Sequence, residues 1–530
     1  MYLCKLEIEN FRGIRFARMN LNETTVVTGE NDSGKTTLLD AVCQVLSPSG
    51  ESHGIIFTAG DFHMRSEQPE FRPSGSIGIR LTFRERRPDE WSSLRLNDYG
   101  FRLEDDQETL QELTLEVKSG VLTERGEARA SWRIRTAGQT EMAFSEDMAI
   151  LDWFRRLNPV FRIRSDMFSK ANLDFSREPG IFEDFRTSIK YVESHSNIFR
   201  SDGIPMEDII YDILGKKSDS NSGETRRIVL HHGSAAEKIG MLVFIEAFLE
   251  SGGLKADASA EPIIIIEDPE AHLHPMTLQS VKILIERMNW QKIITTHSGS
   301  LLSDFALEDI RRITRREGNI REYRVKPGSL SSEELRRLSY HVRKMIPNAT
   351  FARCWLLVEG ESEMWLMPHL ARLCGYDFAM EGVVCVEFAQ CGIAPLVKAA
   401  SQLGIEWFLM ADGDAAGRAY IETARHFARQ LNREPEEHCL RFREKDIENH
   451  LFFNGYADIY SQYSGIPVHD SENMQPRRII GRAIHRNSKP FMAIAIIEAM
   501  ARTGSQGVPS ELRKVVEQCV GLAGGSENSR

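Results

Sequence analysis

Long apolar runs are missing from this sequence. The longest purely aliphatic stretches, such as residues 263–266 (IIII), fall far short of the roughly 20 apolar residues that a bilayer-spanning helix needs. The opening MYLCKLEIENF has no basic patch followed by a long apolar core, so no secretory signal is expected. Eight cysteines are scattered without a CxxC pair, which excludes a disulfide framework and reads as reduced thiols of a cytoplasmic protein. A basic excess is missing too. The net charge is −11, which argues against a chain coated in nonspecific DNA-binding surface. It leaves room for local basic grooves, and two stretches are basic: 311–326 (RRITRREGNIREYRVK) and 477–489 (RRIIGRAIHRNSK). There is no internal repeat and no long heptad segment.

What is present is ordinary globular material. The 530 residues are 41% hydrophobic and 27% charged, enough for two to four domains. YLCKLEIENFRGI alternates like a strand, ETTVVTG reads as a second strand, and TTLLDAVCQVL has helical spacing. Residues 75–140 carry strand-like runs (SIGIRLTFRE, LTLEVKSG) and suggest a β-rich lobe. Residues 146–250 read as mainly helical, with a break at 215–223 (GKKSDSNSG). A helical stretch over 331–344 leads to Pro347, where a domain boundary is placed. From WLLVEGESE onward, strands alternate with helices, which implies a parallel sheet. The tail GLAGGSENSR is expected to be disordered.

Residues 29–36, GENDSGKT, fit G-x-x-x-x-G-K-[ST] between a strand and a helix. Gly29 and Gly34 let backbone N–H groups approach phosphate. Lys35 reaches the β and γ phosphates, and the Thr36 hydroxyl ligates Mg²⁺. The helix N-terminus points at the same anion. Asn31, Ser33 and Thr37 complete the expected nucleotide-binding set. A second element, the strand ending in EDPEAHLHP, supplies acids: Glu267 toward Mg²⁺ and Asp268 toward the attacking water. KIITTHS then ends at His297, placed to touch the γ-phosphate. His272 and His274 lack further ligands at zinc spacing, which favours a packing or dimer-contact role.

This order of FRG, GENDSGKTT, EDPEAHLHP and TTHS resembles the ABC-type ATPases related to structural-maintenance-of-chromosomes and Rad50 proteins. The resemblance implies heads that pair, each completing the other's ATP site with a signature loop. The candidate loop is 232–238 (HGSAAEK), of which only Gly233-Ser234 matches well, and no Q-loop glutamine is placed.

In the second half, Glu359 follows the strand WLLV, and Asp412 and Asp414 follow the strand WFLMA. Groups at the carboxyl ends of parallel strands collect in one place. Several carboxylates there repel one another unless cations intervene, and oxygen ligands suit Mg²⁺ or Mn²⁺. Two such ions can serve phosphodiester cleavage. The glutamate and the DxD resemble the Toprim domain, and an ATPase of this type fused to Toprim resembles the OLD (overcoming lysogenization defect) family of nucleases.

The resemblance implies further that Glu363 and Glu448 are metal ligands, and that Lys489 stabilises charge at the scissile phosphate, with Glu359 and Asp268 also catalytic. It implies an α/β protein: an ABC-type ATPase head with a β-rich lobe and helical insert, then a Toprim parallel-sheet domain. The expected segments are 1–145, 146–225 (insert, possible dimerisation region), 226–345, 350–470 (Toprim) and 471–530. Expected cofactors are ATP and Mg²⁺ or Mn²⁺, one ion with ATP and two in the Toprim site. Expected partners are DNA, a second copy of the chain and a defence-system protein, with no membrane. The function expected is ATP-regulated DNA cutting in defence against phage or plasmids. The alternative is a RecF-like repair ATPase without nuclease activity. A topoisomerase would need a nucleophilic tyrosine in a strand-passage domain, and none is found.

Overall fold

The computed structural model describes residues 1–47, 54–64, 75–88, 90–93, 110–136, 148–165, 261–272, 278, 290–340, 347–466 and 474–528. It divides into two compact units. The first comprises Met1–His297 and Arg311–Glu322, the second Ser298–Ile310 and Tyr323–Arg530.

The first unit is built on one twelve-stranded sheet, ordered β4-β7-β6-β5-β1-β2-β12-β11-β3-β10-β9-β8. Its strands are β1 (Tyr2–Phe11), β2 (Ile14–Asn20), β3 (Thr24–Gly29), β4 (Ile56–Thr58), β5 (Gly78–Arg84), β6 (Glu112–Ser119), β7 (Glu127–Thr136), β8 (Val160–Ile163), β9 (Ile263–Glu267), β10 (Gln291–Thr295), β11 (Ile310–Arg316) and β12 (Asn319–Tyr323). β1 meanders antiparallel with β2 and β5, and β6 and β7 continue that half. At the other end β3, β10, β9 and β8 are all parallel. The composition follows this division. β7 alternates buried and less buried residues along its length, as an antiparallel strand with one wet face does, whereas β9 and β10 are buried at every position.

One sequence expectation is met here and one is amended. The strands of the β-rich lobe extend the same sheet that holds the nucleotide loop. The segment read as mainly helical opens with α2 (Met148–Leu157) but then contributes β8, an edge strand parallel to β9. The short VFRI run follows α2 closely and gives too little periodicity of its own to stand out. The remainder of that segment, including 232–238, lies outside the described residues, as does His274. Helix α1 (Lys35–Leu46) lays Leu38, Leu39, Val42, Val45 and Leu46 into the core beneath the sheet.

The second unit holds a parallel sheet ordered β14-β13-β15-β16, from β13 (Cys354–Val358), β14 (Val383–Glu387), β15 (Glu406–Ala411) and β16 (Cys439–Arg441). CWLLV and EWFLMA are buried throughout, as strands covered on both faces must be. Besides the single turns Gly299–Leu302 and Phe378–Glu381, the helices are α3 (Ser332–Leu338), α4 (Glu361–Leu373), α5 (Ile393–Gln402), α6 (Ala415–Gln430), α7 (Ile447–Leu451), α8 (Ala457–Ser464), α9 (Pro476–Asn487), α10 (Lys489–Thr503) and α11 (Ser510–Asn528). The polar tail expected to be disordered is instead drawn into α11, which runs to Asn528 and anchors through Leu512, Val515, Val516 and Cys519. Among the described residues no helix is long and apolar enough to cross a membrane.

Candidate active sites

The nucleotide loop joins β3 to α1. Asp32 (φ 61°) and Gly34 (φ 97°) both take left-handed backbone, which turns the chain tightly into the helix. Gly29 tolerates no side chain: a Cβ there would lie 2.5 Å from the Ile313 carbonyl oxygen. Lys35 folds back so that its Nζ donates to the carbonyls of Gly29 and Glu30, each at 3.0 Å. Burial lowers its pKa, while Asp268, Asp32 and Glu270 oppose the shift. Helix α1 has no side-chain cap and no acid in its first turn. Its leading N–H groups are therefore free for an anion. The buried Ser33 hydroxyl has no hydrogen-bond partner among the described residues. These features fit a nucleotide phosphate. Asn31 and Thr36 are exposed and Thr37 is half-buried.

Because β3, β10 and β9 are adjacent and parallel, the loop, Glu267-Asp268 and Thr296-His297 share one sheet edge. Thr295 Oγ1 donates to Asp268 Oδ1 at 3.1 Å, and Asp268 itself holds a left-handed φ of 39°. Glu270 accepts from the Thr296 hydroxyl at 2.7 Å and from the His297 amide at 2.6 Å, which fixes the turn that presents the exposed His297. Glu267 is ion-paired with Arg162 of β8, whose other arm meets Asp40 at 2.6 Å. Burial raises the Glu267 pKa and Arg162 holds it back. Arg12 of the FRG turn also binds Asp40 and reaches Asp61 at 2.9 Å. Sequence reasoning missed Glu270, Asp40 and Arg162. Glu270 stood inside a quoted motif, whereas Arg162 has no local signal.

In the second unit β13 and β15 are neighbours, so Glu359 and the Asp412-Gly413-Asp414 turn leave the same edge of the sheet. The Asp412 backbone lies close enough to the Glu359 carboxylate to work against the rise in its pKa. Two glycines make this turn possible. A Cβ at Gly413 would sit 2.0 Å from the Glu444 carbonyl oxygen, and one at Gly417 would sit 1.8 Å from that of Asp412. Asp414 caps α6 through the Gly417 amide at 2.8 Å. From the other side, Glu448 on α7 accepts from the Ser362 hydroxyl at 2.9 Å and from Lys489 Nζ at 3.1 Å. Glu363 is buried one helical turn beyond Glu359.

The electrostatics follow from crowding. Burial, then the charges of Glu359, Asp446, Glu448 and Asp414, push the Asp412 pKa up to about 7. Burial, then Asp412 and Glu448, push Glu363 up to about 8. Glu359 is raised by burial and by Asp414 and Asp446. For Lys489 burial alone would lower the pKa, but the Glu448 carboxylate outweighs it and holds the ammonium above its usual value. Glu359 Oε2 and Asp412 Oδ1 are buried with no hydrogen-bond partner among the described residues. Unpaired buried carboxylate oxygens are costly, and a cluster of them is the donor set a hard divalent cation takes. Asp446, whose charge acts on Glu359 and Asp412, is the member that sequence reasoning missed, though it stands in the quoted DIENHL.

Fold and sites together define an ABC-type ATPase head followed by a Toprim domain. Residues 1–197 and 211–349 match the family described as "Protein of unknown function (DUF2813)", and residues 350–414 match "Overcoming lysogenization defect protein-like, TOPRIM domain". The chain belongs to the DUF2813 family, and its residues 350–414 are a Toprim domain of the OLD-like kind. It is 31% identical over 564 residues to the uncharacterized protein YbjD of Escherichia coli strain K12, across 99% of this chain and 100% of that one. Among solved structures, the SMC head domain from Thermotoga maritima is similar at 15% identity and a TM-score of 0.32, over 62% of this chain and 100% of that one. The C-terminal region of the Burkholderia pseudomallei OLD protein is similar at 18% identity and a TM-score of 0.28, over 33% and 99%.

Proposed function

We infer that this protein is an ATP-hydrolysing, divalent-metal-dependent DNA endonuclease serving defence against phage or plasmids, and that it works as a homodimer, with a defence-system protein as a further partner. The observation that supports the cutting activity is the mutual electrostatic coupling of Glu359, Asp412, Glu363 and Glu448, with unpaired buried oxygens on Glu359 and Asp412 and the Lys489 ammonium on Glu448. Glu359, Glu363, Asp412, Asp414 and Glu448 would hold two Mg²⁺ or Mn²⁺ ions, which when bound activate water and stabilise the leaving oxygen. The chain's own groups do the rest. Glu448 and Ser362 orient each other, Gly413 and Gly417 let the acidic turn close, and Lys489 offers a positive charge to the scissile phosphate.

In the head, Gly29, Asn31, Ser33, Gly34, Lys35, Thr36 and Thr37 would cradle ATP with its own Mg²⁺. Asp268 would orient water, and His297 would meet the γ-phosphate. Glu267 would reach the metal only on leaving Arg162. The proposed layout is a head over 1–145 and 226–345, an insert over 146–225, Toprim over 350–470 and a helical region over 471–530. In a plasmid-nicking assay with Mn²⁺ the wild type should cut, Asp412→Ala should lose cutting, and Lys35→Ala should lose ATP hydrolysis while still cutting. Wild-type protein that hydrolyses ATP yet leaves plasmid intact under every metal would overturn the nuclease reading in favour of a repair ATPase.

A further inference from the structure

The two basic stretches of the sequence meet different fates. In the first, Arg311 is fully buried, donating to the Asn20 carbonyl at 2.7 Å and pairing with Glu322 at 3.0 Å. Its charge is used inside the sheet. The second becomes α9. Ile479, Ile480 and Ala483 turn inward. Arg477, Arg478, Gly481, Arg482, His485 and Arg486 are exposed. At 100° per residue these six fall on the outward half of the helix, with no acidic residue among them.

Some arginines elsewhere in this unit are matched by acids on their own helix, Glu333 with Arg336 and Arg337 and Glu422 with Arg425, while exposed Arg418, Arg429, Arg443 and Arg502 stand singly; α9 differs in gathering four on one face. None of the four α9 arginines forms an ion pair among the described residues. In a chain with 77 acidic and 66 basic residues, such a face departs from the average surface. Gly481 lies in its middle, and a Cβ there would meet nothing within 4 Å. Packing therefore does not demand the glycine, although it costs the helix about 1 kcal/mol relative to alanine. It leaves a shallow notch between the arginines. The face also has a direction. α9 ends at Ser488, and the next residue is Lys489, whose Nζ lies 3.1 Å from Glu448 in the acidic site.

We propose that the outward face of α9 is a phosphate track that binds the backbone of duplex DNA and leads it to Lys489. This rests on the nuclease reading above for the identity of the polyanion. Arg477 to His485 span about 12 Å of helix axis, the Arg486 guanidinium lying against Gly465, and a duplex carries a charge every 1.7 Å or so, so the face meets several phosphates at once. Contacts of this kind carry affinity and register, not sequence preference.

The test uses the full chain carrying Asp412→Asn, so that DNA is bound but not cut, and a labelled duplex whose anisotropy is followed against salt. Arg478→Ala/Arg482→Ala should lower the slope of log K against log salt by about two, near one per lost phosphate contact. Arg156→Ala/Arg429→Ala, which removes two exposed arginines from other helices, should leave it unchanged. In the cutting-competent background the α9 variant should raise the plasmid KM with little change in kcat. Unchanged slope and affinity, or an equal loss in the control pair, would overturn the track. A lowered slope in a protein whose wild type never cuts would keep the track and discard the nuclease.

Discussion

Asp412 and Glu363 carry the charge imbalance on which the proposed metal site rests. Their ordinary values lie near 4, yet crowding and burial lift them to about 7 and about 8. A carboxyl whose folded pKa is raised stabilises the fold fully below its unfolded pKa. That contribution is lost as pH climbs through the folded value. Without metal, stability of the Toprim unit should therefore decline between about pH 5 and pH 8. Asp412→Asn and Glu363→Gln should flatten the decline. A divalent cation competes with the same protons, so its binding should release protons and tighten as pH rises. Thermal melts with EDTA and with Mn²⁺ across that range measure both effects. A Mn²⁺-induced shift that is the same at both ends would contradict the assignment of these carboxyls to the cation.

At the scale of an element, Asp414 has two duties that can be separated. It caps α6 through the Gly417 amide, and it is a proposed metal ligand. Removing a cap costs about 1 kcal/mol, whereas asparagine preserves the acceptor. Asp414→Ala should lose about that much stability in denaturant melts, and Asp414→Asn little. Both should lose cutting by at least about 100-fold. If only the alanine variant lost cutting, the carboxylate would be a cap and nothing more.

The same distinction explains what the sequence made legible. The phosphate loop and the DxD are each contained within one strand-turn-helix, so residues a few positions apart carry the whole signal. Glu448 and Lys489 were reachable only through the OLD resemblance, since about 30 to 130 residues of chain separate them from the acids they join. Asp446, Asp40 and Arg162 announce nothing locally, because their roles come from neighbours that the sheet brings in. β8 was lost for a related reason: four residues close behind a helix give too little periodicity to register.

Among the described residues of the whole molecule two cores stand out, and each proposed ligand site is built from a single unit. The first core gathers α1 and the large sheet, including Leu38, Val42, Phe83 and Phe154; the second gathers the parallel sheet with α4, α10 and α11, including Leu366, Ile496 and Val516. A ligand that binds only the folded state stabilises it by about 2.7 kcal/mol at a hundredfold excess over its Kd. For units of this size that is a rise of roughly 5–10 °C. Calorimetry should then resolve two transitions. At constant Mg²⁺, adding ATP should raise only the transition that Lys35→Ala makes insensitive to ATP. Mn²⁺ without nucleotide should raise only the one that Asp412→Asn makes insensitive to metal. A single transition moved by both ligands, and blunted for both by either substitution, would mean that head and Toprim unfold as one cooperative body. ATP would then act on cutting through shared stability, not through a separate conformational step.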